Sequence, residues 1–296
     1  MINQILLEKY AKLAVYIGAN VQKGQYVFIN ASTDTVDLAR AIAEQAYEAG
    51  AKDVVINWSD DYVAKSAYVH KDVEALKEFP EWKKLKYKDF IEQNGCAISI
   101  SSPVPGLNND IESAKLQAVN IASRKNLSFY YDHMMGSKSQ WTIIAAPNLV
   151  WAKKVFPDLD DEQAYDRLWE EILKASRVTM ENDPVDDWNR HNERLFNHNQ
   201  ILNQHDFKSL HFKNSLGTDI TIGLVEGHIW AGGGEHTPEK LLFNPNIPTE
   251  ENFTMPERTG VNGKVVATKP LNYQGKLIED FWLEFKDGKV VDFDAK

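Results

Sequence analysis

The sequence predicts an α/β protein: an open, mostly parallel sheet flanked by helices, followed by a smaller antiparallel β-rich domain. Three observations predict it. Strand-like and helix-like runs alternate through residues 1 to about 150. Helical runs in that region close at glycines. After residue 205 the pattern becomes short alternating runs separated by turn glycines.

Taken in order, Ile5, Leu6, Tyr10, Leu13, Ala14 and Ile17 recur at three- and four-residue steps and mark a first helix ending near Gly18. "GQYVFINA" (24–31) reads as a short buried strand. Ser32, Thr33 and Asp34 then offer capping oxygens to the helix "TVDLARAIAEQAYEAGA", which closes at Gly50. "KDVVINWSD" (52–60) is a second strand, and a strand–helix–strand crossover makes a parallel pair. "FIEQNGCAISISSP" supplies a helix end, a turn and a third strand. "NNDIESAKLQAVNIASRKNLSFYYDHM" reads as a helix and "QWTIIAAP" (140–147) as a fourth strand.

A helical stretch follows. "LDDEQAYDRLWEEILKASRV" (159–178) has acidic residues in its first turn, where the helix dipole favours them. "PVDDWNRHNERLFNHNQILNQ" (184–204) starts with Pro184 in a first-turn position and Asp183 as candidate cap. It carries Trp188, Leu195 and Ile201 and is polar elsewhere, as expected of a helix linking two domains. "FWLEFKDGKVVDF" is a hairpin with Asp-Gly in its turn. The expected division is an α/β domain over 1–182, a linking helix over 183–204 and a β-rich domain over 205–296.

Composition narrows the function. The 296 residues are 43% hydrophobic with eight tryptophans, enough for a sizeable core. A net charge of −10 argues against nucleic acid or an anionic membrane as partner. The single cysteine, Cys96, excludes an intrachain disulfide and cysteine-rich zinc motifs, and its apolar run "CAISIS" marks it as a buried small hydrophobe. The start is amphipathic and charged, without a signal-peptide pattern, and no run approaches the roughly 18 apolar residues of a membrane span. A cytoplasmic protein is expected.

The common catalytic strings are absent: HExxH, the Walker A loop, GxGxxG after the first strand and GxSxG. The polar loop "NASTDT" could cap a helix or hold an anion. "VEGHIWAGGGEHTPEK" gathers Glu226, His228, Glu235 and His236 around a triple glycine. The spacing matches no standard metal site. The glycines would let the backbone approach a ligand or another strand closely. "NPNIPTEENFTMP" holds the adjacent carboxylates Glu250 and Glu251. In a strand these point to opposite faces, one to solvent and one inward. The inward one suits a hard metal ligand, a general base or an ion pair, and a divalent metal needs further ligands that nothing nearby supplies.

Several strings resemble the M29 family of metalloaminopeptidases, the thermophilic, PepS/AmpS-like group. They are "EKYAKLAVYIGANVQKGQYVFINA", "RLWEEILKASRV", "DPVDDWNRHNERL", "GTDITIGLVEGHIWAGG", "FNPNIPTEENFTMP" and "GKVVATKPLNYQGKLIEDFWLEFKDGKVV". The resemblance runs through the whole chain in order. It implies an exopeptidase that releases N-terminal amino acids from peptides with two divalent cations, zinc or cobalt, in a cytoplasmic homodimer. It implies that a glutamate of PTEE is the first metal ligand: Glu251, with Glu250 as the alternative because a one-residue slip reverses the face. His228 and His236 are candidates for the substrate cleft.

The family's remaining ligands, another Glu, two His, an Asp and a Tyr, fall after the hairpin at the end of this sequence, as does the general base. The β-rich domain is therefore expected to carry the first ligand motif and to stop before the others. The chain is expected to be a catalytically incomplete N-terminal portion that binds metal weakly or not at all. The alternative is a non-catalytic module of the same fold, holding basic peptides in an acidic cleft.

Overall fold

A computed structural model describes residues 2–296. The chain divides into two compact units: one runs to Arg190 and takes in Gly234–Thr249, and the other comprises His191–Gly233 and Glu250–Lys296.

The first unit is built on four parallel strands, β1 (Tyr26–Ser32), β2 (Asp53–Ser59), β3 (Cys96–Ser101) and β4 (Trp141–Ala145), in the order β2-β1-β3-β4. Its helices are α1 (Gln4–Leu13), α2 (Val36–Glu48), α3 (Asp61–His70), α4 (Val73–Leu76), α5 (Glu81–Glu92), α6 (Ser113–Asn126), α7 (Ser128–Met135), α8 (Leu149–Val155) and α9 (Asp161–Ala175). Alternation along β1 sorts the two faces. Val27 and Ile29 join a large core with α1, α2 and α9, while Phe28 packs with Phe90 of α5 and Met134 of α7. Right-handed crossovers moving outward in opposite directions from β1 and β3 put their helices on opposite faces.

Polar anchors fix this packing. The buried Tyr10 hydroxyl donates to the Ala145 carbonyl (3.0 Å) and accepts from the Ala145 N–H (3.1 Å), tying α1 to β4. Trp188 is fully buried and its indole donates to the Ser176 carbonyl at 2.7 Å. That bond anchors α10 (Pro184–His205), a helix whose first turns belong to the first unit and whose later turns belong to the second.

The second unit carries an antiparallel sheet of β5 (Ser209–Lys213), β6 (Asp219–Leu224), β9 (Pro256–Val266), β12 (Trp282–Lys286) and β13 (Lys289–Asp294), in the order β13-β12-β9-β6-β5. The short pair β10 (Leu271–Tyr273) and β11 (Lys276–Ile278) adds a hairpin. Asp287 and Gly288 both have positive φ, as the tight turn between β12 and β13 requires, and a Cβ at 288 would strike the Arg258 carbonyl.

The α/β sheet and the following antiparallel sheet are those the sequence predicts. Three details differ. Neither Ser32 nor Thr35 caps α2 through its side chain. Instead Thr33–Thr35 forms a 3-10 turn, in which the Thr35 hydroxyl donates to the Ser32 carbonyl and Thr33 turns to Asp60. The helix expected after β3 breaks at Leu127 into α6 and α7. The third difference is in how the units divide. The short hairpin β7 (Glu235–His236) and β8 (Leu242–Phe243) and the residues after it belong with the first unit. The reason is backbone pairing. The Asn244 N–H donates to the Ile17 and Gly18 carbonyls (3.1 and 2.9 Å), the Ile143 N–H to the Pro245 carbonyl (2.8 Å), and the Ile247 N–H to the Ile143 carbonyl (3.0 Å). No helix among the described residues is long and apolar enough to cross a membrane.

Candidate metal centre

Glu250 and Glu251 do not lie in a strand. They occupy an irregular stretch between the bridge at Asn246 and the bridge at Phe253, and both are exposed. The expectation of one inward and one outward carboxylate is thus corrected. Strand alternation needs a continuous extended run, and here only single bridges stand at either end, the later one pairing Phe253 with Ala231 (N···O 2.9 and 2.8 Å).

The triple glycine explains how the segment is held. Gly232 has φ +150°, and a Cβ there would lie 2.1 Å from the Glu251 carbonyl oxygen. Of the two uses a glycine cluster has, close approach to a ligand or to another segment, the structure shows the second. Gly233 packs in the same way on Leu195 and Phe196 of α10.

α10 supplies a row of amides. The Asn199 side chain donates to the Gly232 carbonyl (2.9 Å), and Asn203 donates to the Trp230 carbonyl (3.1 Å) and accepts from its N–H (2.8 Å). Asn252 donates to the Leu195 carbonyl (3.0 Å) and to the Asn199 side-chain oxygen (2.6 Å). The residue that follows Glu251 is therefore fixed.

On the other side stands His191. Its side chain is 1% exposed, and its Nε2 lies 3.7 Å from a Glu250 carboxylate oxygen. Its Nδ1 is 2.7 Å from the Arg194 guanidinium, which can only donate. Nδ1 is therefore the acceptor, and in the neutral ring Nε2 carries the proton that faces Glu250.

Sequence reading missed His191, Asn199 and Asn203. For His191 and Asn199 the available signal was their place on the buried stripe of Trp188 and Leu195; Asn203 is exposed and carried no such signal.

The two histidines of the glycine-rich stretch fall in different units. His228 lies in the second unit, half-buried, with Nδ1 donating to the Val225 carbonyl (3.0 Å) and its ring edge-on to Trp230. His236 lies in the first unit on β7 and is exposed.

Glu250, Glu251 and His191 are donors of the right kind for a divalent metal, hard oxygens and an imidazole. Their number falls short: among the described residues no group of three or more His, Cys, Asp or Glu side chains is placed to hold a metal ion. The described residues fit part of a metal shell.

Comparison with known proteins agrees with the resemblance. The profile of the thermophilic metalloprotease (M29) family matches residues 3–296. The chain is 45% identical over 291 residues to aminopeptidase AmpS of Bacillus subtilis, and 42% identical over 290 residues to aminopeptidase 2 of Geobacillus stearothermophilus. Each alignment covers 98% of this chain and 70% of the relative. The solved structure of wild-type AmpT from Thermus thermophilus matches with a TM-score of 0.89 at 33% identity, covering 99% of this chain and 72% of that one. The expectation of a catalytically incomplete portion finds no support in these matches, which run through almost all of this chain. The chain belongs to the M29 family of thermophilic metalloproteases, as a metal-dependent aminopeptidase.

Proposed function

We propose that this metalloaminopeptidase releases N-terminal amino acids from peptides, and that Glu251 is one of the ligands through which it takes up divalent metal. Glu250 is the alternative ligand. The reading includes two ions per subunit, zinc or cobalt, a homodimeric state and a cytoplasmic location. One observation carries it. The backbone of Glu251 is packed against Gly232 and flanked by the anchored residue Asn252, while its carboxylate stays exposed. A fixed backbone beneath an exposed carboxylate suits a ligand, because little backbone ordering entropy remains to be lost on binding.

A divalent ion at such a site would polarise the scissile carbonyl as a Lewis acid. The work of this chain's own residues is positional. The buried His191 turns its Nε2 toward Glu250 at 3.7 Å, and Glu251 presents the neighbouring exposed carboxylate. His228 and the exposed His236 remain candidates for contact with the peptide.

Cobalt titration followed by absorbance and calorimetry, paired with hydrolysis of aminoacyl-nitroanilides, tests the reading. Glu251→Gln is expected to weaken cobalt binding and hydrolysis together, and Glu250→Gln to leave most of both. The reverse pattern would assign the ligand to Glu250. Normal binding in both variants would remove PTEE from the metal site.

A further inference from the structure

A second feature lies in the first unit, at the carboxyl ends of its parallel strands. The order β2-β1-β3-β4 places a topological switch point between β1 and β3, since the chain leaves β1 for one face and β3 for the other. In open α/β sheets that crevice is where ligands bind. Here it is a cavity of about 360 Å³, within the size range of small-molecule sites.

Its walls are mixed, with Ala31, Ile100, Pro103 and Ile143 supplying apolar surface beside a set of polar side chains. Asn30, Ser32, Ser59, Ser99 and Ser101 come from the ends of three strands, and Asp61 comes from the start of α3. The Asn57 amide donates to the Asn30 side-chain oxygen (3.0 Å), and the Asn30 amide donates to the Ser99 hydroxyl (3.1 Å). This chain of hydrogen bonds crosses all three strands and sets the orientation of the Asn30 amide. The Ser32 hydroxyl is buried without a partner. No glycine-rich phosphate loop follows β1, and no lysine or arginine lines the cavity.

Charge selects the ligand. Asp61 is exposed at the cavity mouth, and its carboxyl is pushed upward first by desolvation and then by the neighbouring Asp34 and Asp60, against a hydrogen bond from the Val104 backbone. Lys65, one turn along α3, does not neutralise it, because its ammonium pairs with Asp110 at 2.6 Å. Asp60 is occupied as the N-cap of α3. A cavity with hydroxyl, amide and apolar walls and an acidic side chain at its mouth repels phosphates and attracts organic cations, whose hydrocarbon part the apolar walls can take.

We infer that the crevice between β1 and β3 is a binding site for a small organic cation, an ammonium or guanidinium compound without a carboxylate or phosphate. Asp61 faces its charge, and Asn30 and Ser99 accept or donate at its polar end. The site uses none of the residues of the candidate metal centre.

Isothermal titration with agmatine in the presence of EDTA tests this, because chelation removes any contribution from the metal centre. One-to-one binding is expected for the wild-type chain, at least about tenfold weaker in Asp61→Asn, with no binding of inorganic phosphate. Ser99→Ala, checked for folding by circular dichroism, is expected to weaken binding as well and decides the matter if Asp61→Asn does not fold. Absence of saturable agmatine binding to the wild-type chain overturns the inference. So does unchanged affinity in the folded variants, or phosphate binding in place of agmatine.

Discussion

Gly232 and Glu251 touch backbone to backbone, so closely that the methyl group of an alanine at 232 would sit 2.1 Å from the Glu251 carbonyl oxygen. The contact links a loop glycine to the residue proposed as metal ligand. Gly232→Ala is expected to break it, because φ +150° is strained for any side chain and the obstacle is backbone that cannot rotate away. The conformational strain alone costs about 1–3 kcal/mol. Chemical denaturation should show the loss, and cobalt affinity should fall with it. An unchanged affinity would separate the glycine contact from metal binding.

His191 offers a second handle. His191→Phe keeps a ring of similar bulk in the buried position and removes the Nε2 proton that faces Glu250. If Glu251 is the ligand, cobalt affinity should change little in this variant, whereas if Glu250 is the ligand the loss of an outer partner should cost roughly 10–100-fold. The Arg194 guanidinium loses its acceptor at Nδ1 in either case, so a moderate fall in melting temperature is expected. A large loss of stability with affinity intact would make His191 a packing residue only.

The amide row can be tested one member at a time. Asn199→Ala removes the bond to the Gly232 carbonyl and leaves the Asn252 amide with one acceptor fewer. Each lost hydrogen bond is worth about 0.5–1.5 kcal/mol, and more where a buried group stays unpaired. The urea midpoint should shift down by about 1–3 kcal/mol equivalent with an unchanged m value.

Alkaline pH should weaken the first unit. Burial pushes the Cys96 thiol from 9.0 up to about 12 and the Tyr10 hydroxyl from 10.0 up to about 12. Both native values are raised, so the stabilisation is fully present below the unfolded values and is lost as pH rises from about 9 to about 12. Urea unfolding at pH 8 and at pH 10.5 should show the drop, and Cys96→Ala should flatten it. In the native protein the thiol should react with disulfide reagents only at the rate of unfolding.

Much of the fold was legible because local chemistry and global pattern agree. The strand at "GQYVFINA", the glycine-closed α2 and the Asp-Gly hairpin each carry a local signal that the structure repeats. The α3–α5 stretch between β2 and β3 was not, since α3 buries no residue fully and α5 only Phe90, which leaves weak periodicity. The site was legible only in part. PTEE stood out through resemblance, but its supports lie about 60 positions earlier on a helix that looked solvent-facing, and no spacing rule connects Asn199 or His191 with residues 250–252. The strand alternation applied to Glu250 and Glu251 failed for a related reason: the segment is shaped by side-chain amides and a glycine contact and forms no strand.

The row of asparagines along α10 has a consequence for working conditions. Amide side chains neither gain nor lose protons across the range in which imidazoles and carboxylates change charge. Hydrogen bonds from Asn199, Asn203 and Asn252 to backbone carbonyls therefore keep their strength from mildly acidic to alkaline solution. A loop clamped in this way presents Glu251 in the same place whatever the protonation state of the residues around it, so a change of acidity leaves the backbone beneath that carboxylate in its shape.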